Sequence, residues 1–244
     1  MKFEHVSLFV SRLAGRLRRA SQNSELARNP IVDPDPEWHR KVVGGLWEEI
    51  GELQFDFLVE HGLRPEHYLL DVGCGAFRGG IHLIRYLDAG HYFGVDHDEQ
   101  MLARGRIELN KEGLLSKQPT IQLTDSFDFT TFQRNFEYVW AFSLFTHLPV
   151  NSIIRCIMNA GKVMALGGKF FATFFENPMG KFNLEPQFHL RVDGEPFPTF
   201  FDRDYYHYDF ETFEWICDGT DLKVAYIGDC FHPRDQKMLM FTKI

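Results

Sequence analysis

The stretch Leu69-Leu-Asp-Val-Gly-Cys-Gly-Ala-Phe-Arg-Gly-Gly80 decides the fold. A strand over His67–Asp71 runs straight into a glycine-rich turn, and a helix over Gly80–Leu87 follows. Glycine at 73 and 75 lets the backbone bend tightly and admits a ligand where a side chain would clash. Asp71 ends the strand, at the edge of an open α/β sheet where such folds bind ligands. A dinucleotide fingerprint calls for Gly or Ala at position 78, and Arg78 stands there instead.

Outward from this loop, short β-branched or aromatic runs recur at Tyr92–Asp96, Thr120–Thr124, Tyr138–Phe142 and Lys169–Phe175. Helical stretches, Gln100–Glu112 and Asn151–Ala165, separate them at spacings that suit parallel strands joined by crossovers. Leu222–Ile227 and Lys237–Thr242 are joined by a link too short for a crossover, so they form an antiparallel pair. The class is a Rossmann-like, doubly wound α/β sheet with an antiparallel last strand. Before the glycine loop, Trp38, Val42, Leu46, Ile50, Leu53 and Phe57 repeat at helical steps, predicting one helix over 37–62 that Gly62 ends.

Asp96 lies 21 residues beyond Gly75, at the end of the second strand. In this fold it stands beside the glycine loop and can accept both hydroxyls of a ribose. Asp125 follows the third strand, placed to meet an adenine amino group. Three strand ends thus offer the parts of an adenosine site: close backbone, ribose acceptor and base acceptor. A lone Asp after a strand reads as a cap or turn residue, but three in this order do not.

These residues resemble the class I S-adenosylmethionine-dependent methyltransferases. Leu70-Asp-Val-Gly-Cys-Gly75 is similar to their first motif, Gly94-Val-Asp96 to the second and Thr124-Asp125-Ser126 to the third. Ala141-Phe-Ser-Leu-Phe-Thr-His147 resembles the segment after their fourth strand, and Gly167-Gly-Lys169 the turn into the fifth. The resemblance runs from about Leu63 to Ile244. It implies a seven-stranded sheet of order 3-2-1-4-5-7-6 and S-adenosyl-L-methionine as cofactor. It further implies that Gly73 and Gly75 approach the methionine portion, with Asp71 and the Cys74 backbone beside them. Asp96 would hold the ribose, Asp125 the adenine amino group with Ser126 donating nearby, and Phe142 would line the pocket. Phe77 stands where the family often has a third glycine, which bears on how the methionine portion is seated, and Glu137 replaces the usual Asp of the fourth strand.

Methyl transfer needs in-line positioning and exclusion of water rather than a protein nucleophile. A hydroxyl acceptor also needs a base, and His147, after the fourth strand, is the candidate; a residue that packs at a helix start is the plainer reading. No His-Glu-x-x-His or comparable spacing occurs, so no metal is expected. His232 and Arg234, in the turn between the last two strands, fall on the same edge of the sheet. The segment 176–209, rich in aromatics and prolines, reads as an acceptor-side insertion or lid, or as a subdomain or dimer contact. The expected activity is methyl transfer to a small-molecule acceptor, foremost a hydroxyl oxygen. An N-methyltransferase and a non-catalytic relative that binds cofactor or a partner are the alternatives. A nucleotide-dependent dehydrogenase is disfavoured by Arg78 and by the lack of a Tyr-x-x-x-Lys pair.

Composition agrees. The chain has 244 residues, 44% of them hydrophobic, enough to bury a core without disulfides. With 34 acidic against 26 basic side chains its net charge is −8, which argues against a phosphate-neutralising surface, so no nucleic acid partner is expected. Cys74, Cys156, Cys217 and Cys230 lie far apart, as reduced thiols in a cytoplasmic protein do. No apolar run approaches a transmembrane segment. Residues 1–36 hold five arginines at Arg12, Arg16, Arg18, Arg19 and Arg28, then a Pro-rich linker, and read as a basic N-terminal arm or amphipathic helix. Residues 37–244 would be the methyltransferase domain.

Overall fold

A computed structural model of the protein describes residues 35–177, 184–191 and 194–244. The basic arm expected over 1–36 falls, except for Asp35 and Pro36, outside the described residues. His39–Ile244 form one compact unit.

The apolar periodicity from Glu37 predicts a single helix, but the chain makes two, α1 (Trp38–Val42) and α2 (Trp47–Glu60). Between them Gly44, Gly45 and Leu46 take φ values of 92°, 66° and 48°. A tertiary contact overrides the helical pattern here. Arg78 Nη1 donates to Val43 O at 2.9 Å and to Gly45 O at 3.4 Å, so carbonyls that a continuous helix would use internally are turned toward a guanidinium.

β1 (Leu69–Val72), α3 (Gly80–Tyr86), β2 (Tyr92–Asp96), α4 (Glu99–Lys111), β3 (Thr120–Leu123), β4 (Phe136–Ala141), α5 (Val150–Val163) and β5 (Met164–Glu176) follow in alternation. β1 pairs in parallel with β2 and β4, with Leu70 opposite both Phe93 and Val139. β2 pairs in parallel with β3, and β4 with β5. After β6 (Gln187–Leu190), β7 (Pro196–Thr199), β8 (His207–Tyr208) and α6 (Phe210–Cys217), the chain ends in β9 (Leu222–Asp229) and β10 (Lys237–Lys243). The main path is β3-β2-β1-β4-β5-β10-β9, with β10 antiparallel to both its neighbours. Numbering the strands of that path alone, this is the 3-2-1-4-5-7-6 order that the resemblance implies.

The central strands are buried on both faces, which is why they read as continuous apolar runs rather than alternating ones. Phe170, Phe171, Phe174 and Phe175 on β5 are at most 1% exposed. Each such ring removed from water contributes on the order of 2–3 kcal/mol. The segment 176–209 contains structure that its composition did not announce. β6 and β7 form a separate antiparallel pair, with Gln187 opposite Thr199, and β8 adds in parallel to the end of β5. No described helix is long and apolar enough to cross a membrane. The reversal of strand order lies between β1 and β4, so the carboxyl ends of β1, β2 and β4 open onto one crevice.

Candidate active site

That crevice is a cavity of about 670 Å³, within the size range of small-molecule sites. Its floor is the glycine loop. Gly73 and Gly75 hold φ values of 79° and 52°, conformations that glycine adopts without strain. The loop is laced to β2, because Gly73 N and Cys74 N both donate to Val95 O, at 2.8 and 3.1 Å. Gly75 N donates to Asp96 Oδ2 at 2.8 Å, and Asp98 N to Asp96 Oδ1 at 2.9 Å. Each Asp96 oxygen thus has one backbone partner and lone pairs to spare. Asp98 caps α4, accepting from Gln100 N and Met101 N.

Asp71, Gly73, Cys74, Gly75, Asp96, Asp125, Phe142 and His147 all line this one cavity. Ser126 is not among the lining residues. Its hydroxyl lies 3.0 Å from Thr124 Oγ1 and accepts from Asp128 N, so it shapes the turn after β3. Asp71 is 5% exposed and accepts a 2.6 Å hydrogen bond from the Tyr92 hydroxyl. Burial pushes its carboxyl up to about 7, against the opposing effect of that hydrogen bond, and the Asp96 charge adds to the rise. Burial, with Asp71 and Asp96 close by, also pushes the Cys74 thiol well up, so it is inert rather than nucleophilic.

Phe77 is not a pocket residue. It is fully buried, and its φ of 65° explains why a glycine suits this position. The ring fits because two glycines make room for it. A Cβ on Gly105 would come within 2.4 Å of the Phe77 ring, and one on Gly80 within 2.9 Å of Phe77 Cβ. Gly105→Ala should therefore overpack the joint between α4 and the loop, at about 1–3 kcal/mol. A fall of several degrees in melting temperature, measured by differential scanning calorimetry, is the expected result.

Three residues of this cavity are not among the site residues expected from the sequence. Asp204 reaches back from the loop before β8 to His147, its Oδ1 and Oδ2 lying 3.0 and 3.1 Å from Nδ1. Met101 comes in from α4, and Arg78 from the turn before α3. Below Phe142, a polar chain fixes the end of β4. Arg234 N donates to His232 Nδ1 at 3.0 Å, so the proton of the neutral ring is on Nε2, 3.1 Å from Ser143 Oγ. Ser143 Oγ donates to Gln236 Oε1, as does Thr173 Oγ1, which in turn accepts from Ser143 N. Burial, then Arg78 and Arg234, push His232 down to about 3, so it serves as a fixed neutral donor. Among the described residues, no group of three His, Cys, Asp or Glu side chains is arranged to hold a metal.

Residues 69–168, from β1 into β5, match the family model of the methyltransferase domain. This segment of the chain is similar to a methyltransferase domain. A sterol 24-C-methyltransferase of Gibberella zeae is 28% identical over 138 residues, 55% of this chain and 34% of that protein. The chain thus spans about a third of the length of this curated relative. Among solved structures, the magnesium protoporphyrin IX methyltransferase of Synechocystis with bound S-adenosylmethionine superposes with a TM-score of 0.58. That match has 14% identity and covers 88% of this chain and 87% of that one. The amino pentose methyltransferase of Micromonospora echinaspora, also with S-adenosylmethionine bound, gives 0.59 at 16% identity, covering 89% and 100%. At these identities the structures speak for the fold alone.

Proposed function

We propose that the methyltransferase domain moves a methyl group from S-adenosyl-L-methionine to a hydroxyl oxygen of a small-molecule acceptor. The fit of the cofactor rests on the glycine loop, whose missing side chains open the cavity floor, and on Asp96 beside it; the Gly73, Cys74 and Gly75 N–H groups are spent within the protein, so the expected Cys74 N–H contact is not available. In this reading Asp96 accepts from the ribose hydroxyls and Asp125 from the adenine amino group. The Gly73–Gly75 backbone and Asp71 hold the methionine portion. When bound, the cofactor supplies an electrophilic methyl on a sulfonium. What remains for the chain is to orient the acceptor, exclude water and take a proton.

The observation that carries the oxygen acceptor is the His147–Asp204 pair on the same cavity. With Nδ1–H donated to the Asp204 carboxylate, the Nε2 lone pair is left to accept the hydroxyl proton. Asp204 acts through His147 as a positioning residue. The segment 176–209, which supplies Asp204, is read as the acceptor-side insertion.

Release of S-adenosylhomocysteine in the presence of a panel of small phenols, alcohols and amines tests this. His147→Ala should lower kcat on a hydroxyl acceptor about 10²–10⁴-fold. Asp204→Asn should lower it by a smaller factor, with KM and the affinity for S-adenosylhomocysteine unchanged in both variants. Transfer confined to amines and indifferent to His147→Ala would assign a nitrogen acceptor. Binding without turnover on any acceptor would assign a non-catalytic relative.

A further inference from the structure

Two guanidinium groups face this cavity without a carboxylate partner. Arg78 and Arg234 both line it, and among the described residues neither forms an ion pair. Arg78 uses Nη1 on the Val43 and Gly45 carbonyls, and its Nη2 and Nε make no hydrogen bond among the described residues. Among the described residues the guanidinium of Arg234 makes none. It is nevertheless held in place, 5.8 Å from the centre of the Phe197 ring and packed on Gly44, where a Cβ would fall 1.5 Å from Nη2. The absence of a side chain at Gly44 is what admits it. The adjacent carboxylate, Asp235, is engaged elsewhere, accepting from Lys237 Nζ at 2.6 Å and lying 3.5 Å from His189 Nδ1.

We propose that Arg78 and Arg234 form an oxyanion subsite that takes a carboxylate or phosphate group of the methyl acceptor. Half-buried charges without partners are unfavourable, and two like charges side by side more so. Burial acts on both: burial first, then Arg234, pushes the Arg78 guanidinium down to about 10, and burial, with Tyr205 opposing it and Arg191 adding to it, pushes Arg234 down. An anion between the two relieves both effects, and the planar fork of arginine matches carboxylate and phosphate oxygens two at a time. The wider surface does not favour such ligands, since the chain carries net charge −8. The subsite is therefore local. Its second arginine comes from the β9–β10 turn, next to the Phe197 ring, where the acceptor is expected rather than the nucleoside.

This inference rests on the proposed division of the cavity between cofactor and acceptor. The cofactor's own carboxylate has the same chemistry, and the test separates the two sources. Benzoate and phenyl phosphate are titrated calorimetrically into the protein, with and without saturating S-adenosylhomocysteine, at constant ionic strength. At least one should bind saturably, and Arg234→Gln should weaken that binding more than about tenfold, the loss of a charge-assisted pair. S-Adenosylhomocysteine affinity should stay within about twofold. Arg234→Lys, which keeps the charge but loses the fork, should fall between. Absence of saturable binding by either anion overturns the proposal. So does an Arg234→Gln variant that loses S-adenosylhomocysteine affinity while anion binding is unchanged, because the arginine then serves the cofactor. Wild-type protein that binds an anion but no S-adenosylhomocysteine keeps the subsite and sinks the cofactor reading instead.

Discussion

Asp96→Ala is expected to weaken S-adenosylhomocysteine binding by about two orders of magnitude or more. Hydrogen bonds to a charged acceptor are worth about 1.5–3 kcal/mol each, and about 1.4 kcal/mol is a factor of ten in affinity. Losing two ribose contacts therefore accounts for the effect by itself. The structure adds a second loss. Asp96 Oδ2 holds Gly75 N and Oδ1 holds Asp98 N, so the carboxylate also sets the shape of the loop and the start of α4. Asp96→Asn separates the two contributions, because the amide keeps the size and one oxygen but not the charge. It should retain the thermal stability of the wild type more fully than its affinity. Isothermal titration of both variants with S-adenosylhomocysteine is the measurement. A folded Asp96→Ala protein of unchanged affinity would place the ribose elsewhere.

The parts of this molecule that are legible in sequence are those set by local pattern. Phe170–Phe175 reads as a buried strand because both its faces are apolar, and Gly73-Cys-Gly75 reads as a loop because few other residues tolerate its backbone. Strand ends then fall where spacing puts them, which places Asp71, Asp96 and Asp125 on one edge. The parts that are not legible depend on partners far along the chain. The break at Gly44–Leu46 is tied by Arg78, and the helical periodicity running through it gives no warning. Phe77 looks like a departure at the cofactor loop, yet Gly105 and Gly80 give its ring a place outside the cavity. Asp204 lies in a segment whose composition suggests an acceptor-side role, but its partner His147 is 57 residues away in the chain. Ser126 shows the converse. Its position after β3 fits the resemblance, while its hydroxyl is spent on the local turn.

Asp71 carries the other large expected effect, and its sign follows from burial. Among the described residues only the Tyr92 hydroxyl donates to this carboxyl, and burial pushes it up to about 7. The folded protein thus keeps a proton that the unfolded chain has released. That contribution to stability is complete below about pH 4, where both states are protonated on Asp71. It is lost as pH rises through 7. A difference of about three pKa units corresponds to about 4 kcal/mol between the ends of this window. The melting temperature should therefore fall between pH 5 and pH 8 in wild-type protein, and Asp71→Asn should remove most of that slope. The same proton should report the ligand. If Asp71 meets the ammonium of the methionine portion, binding favours the carboxylate, and S-adenosylhomocysteine should release close to one proton per site at pH 6 and close to none at pH 8.5. Titration calorimetry in buffers of different ionisation enthalpy reads this number directly. Equal proton release in wild type and Asp71→Asn would show that the group meeting the ammonium is another one.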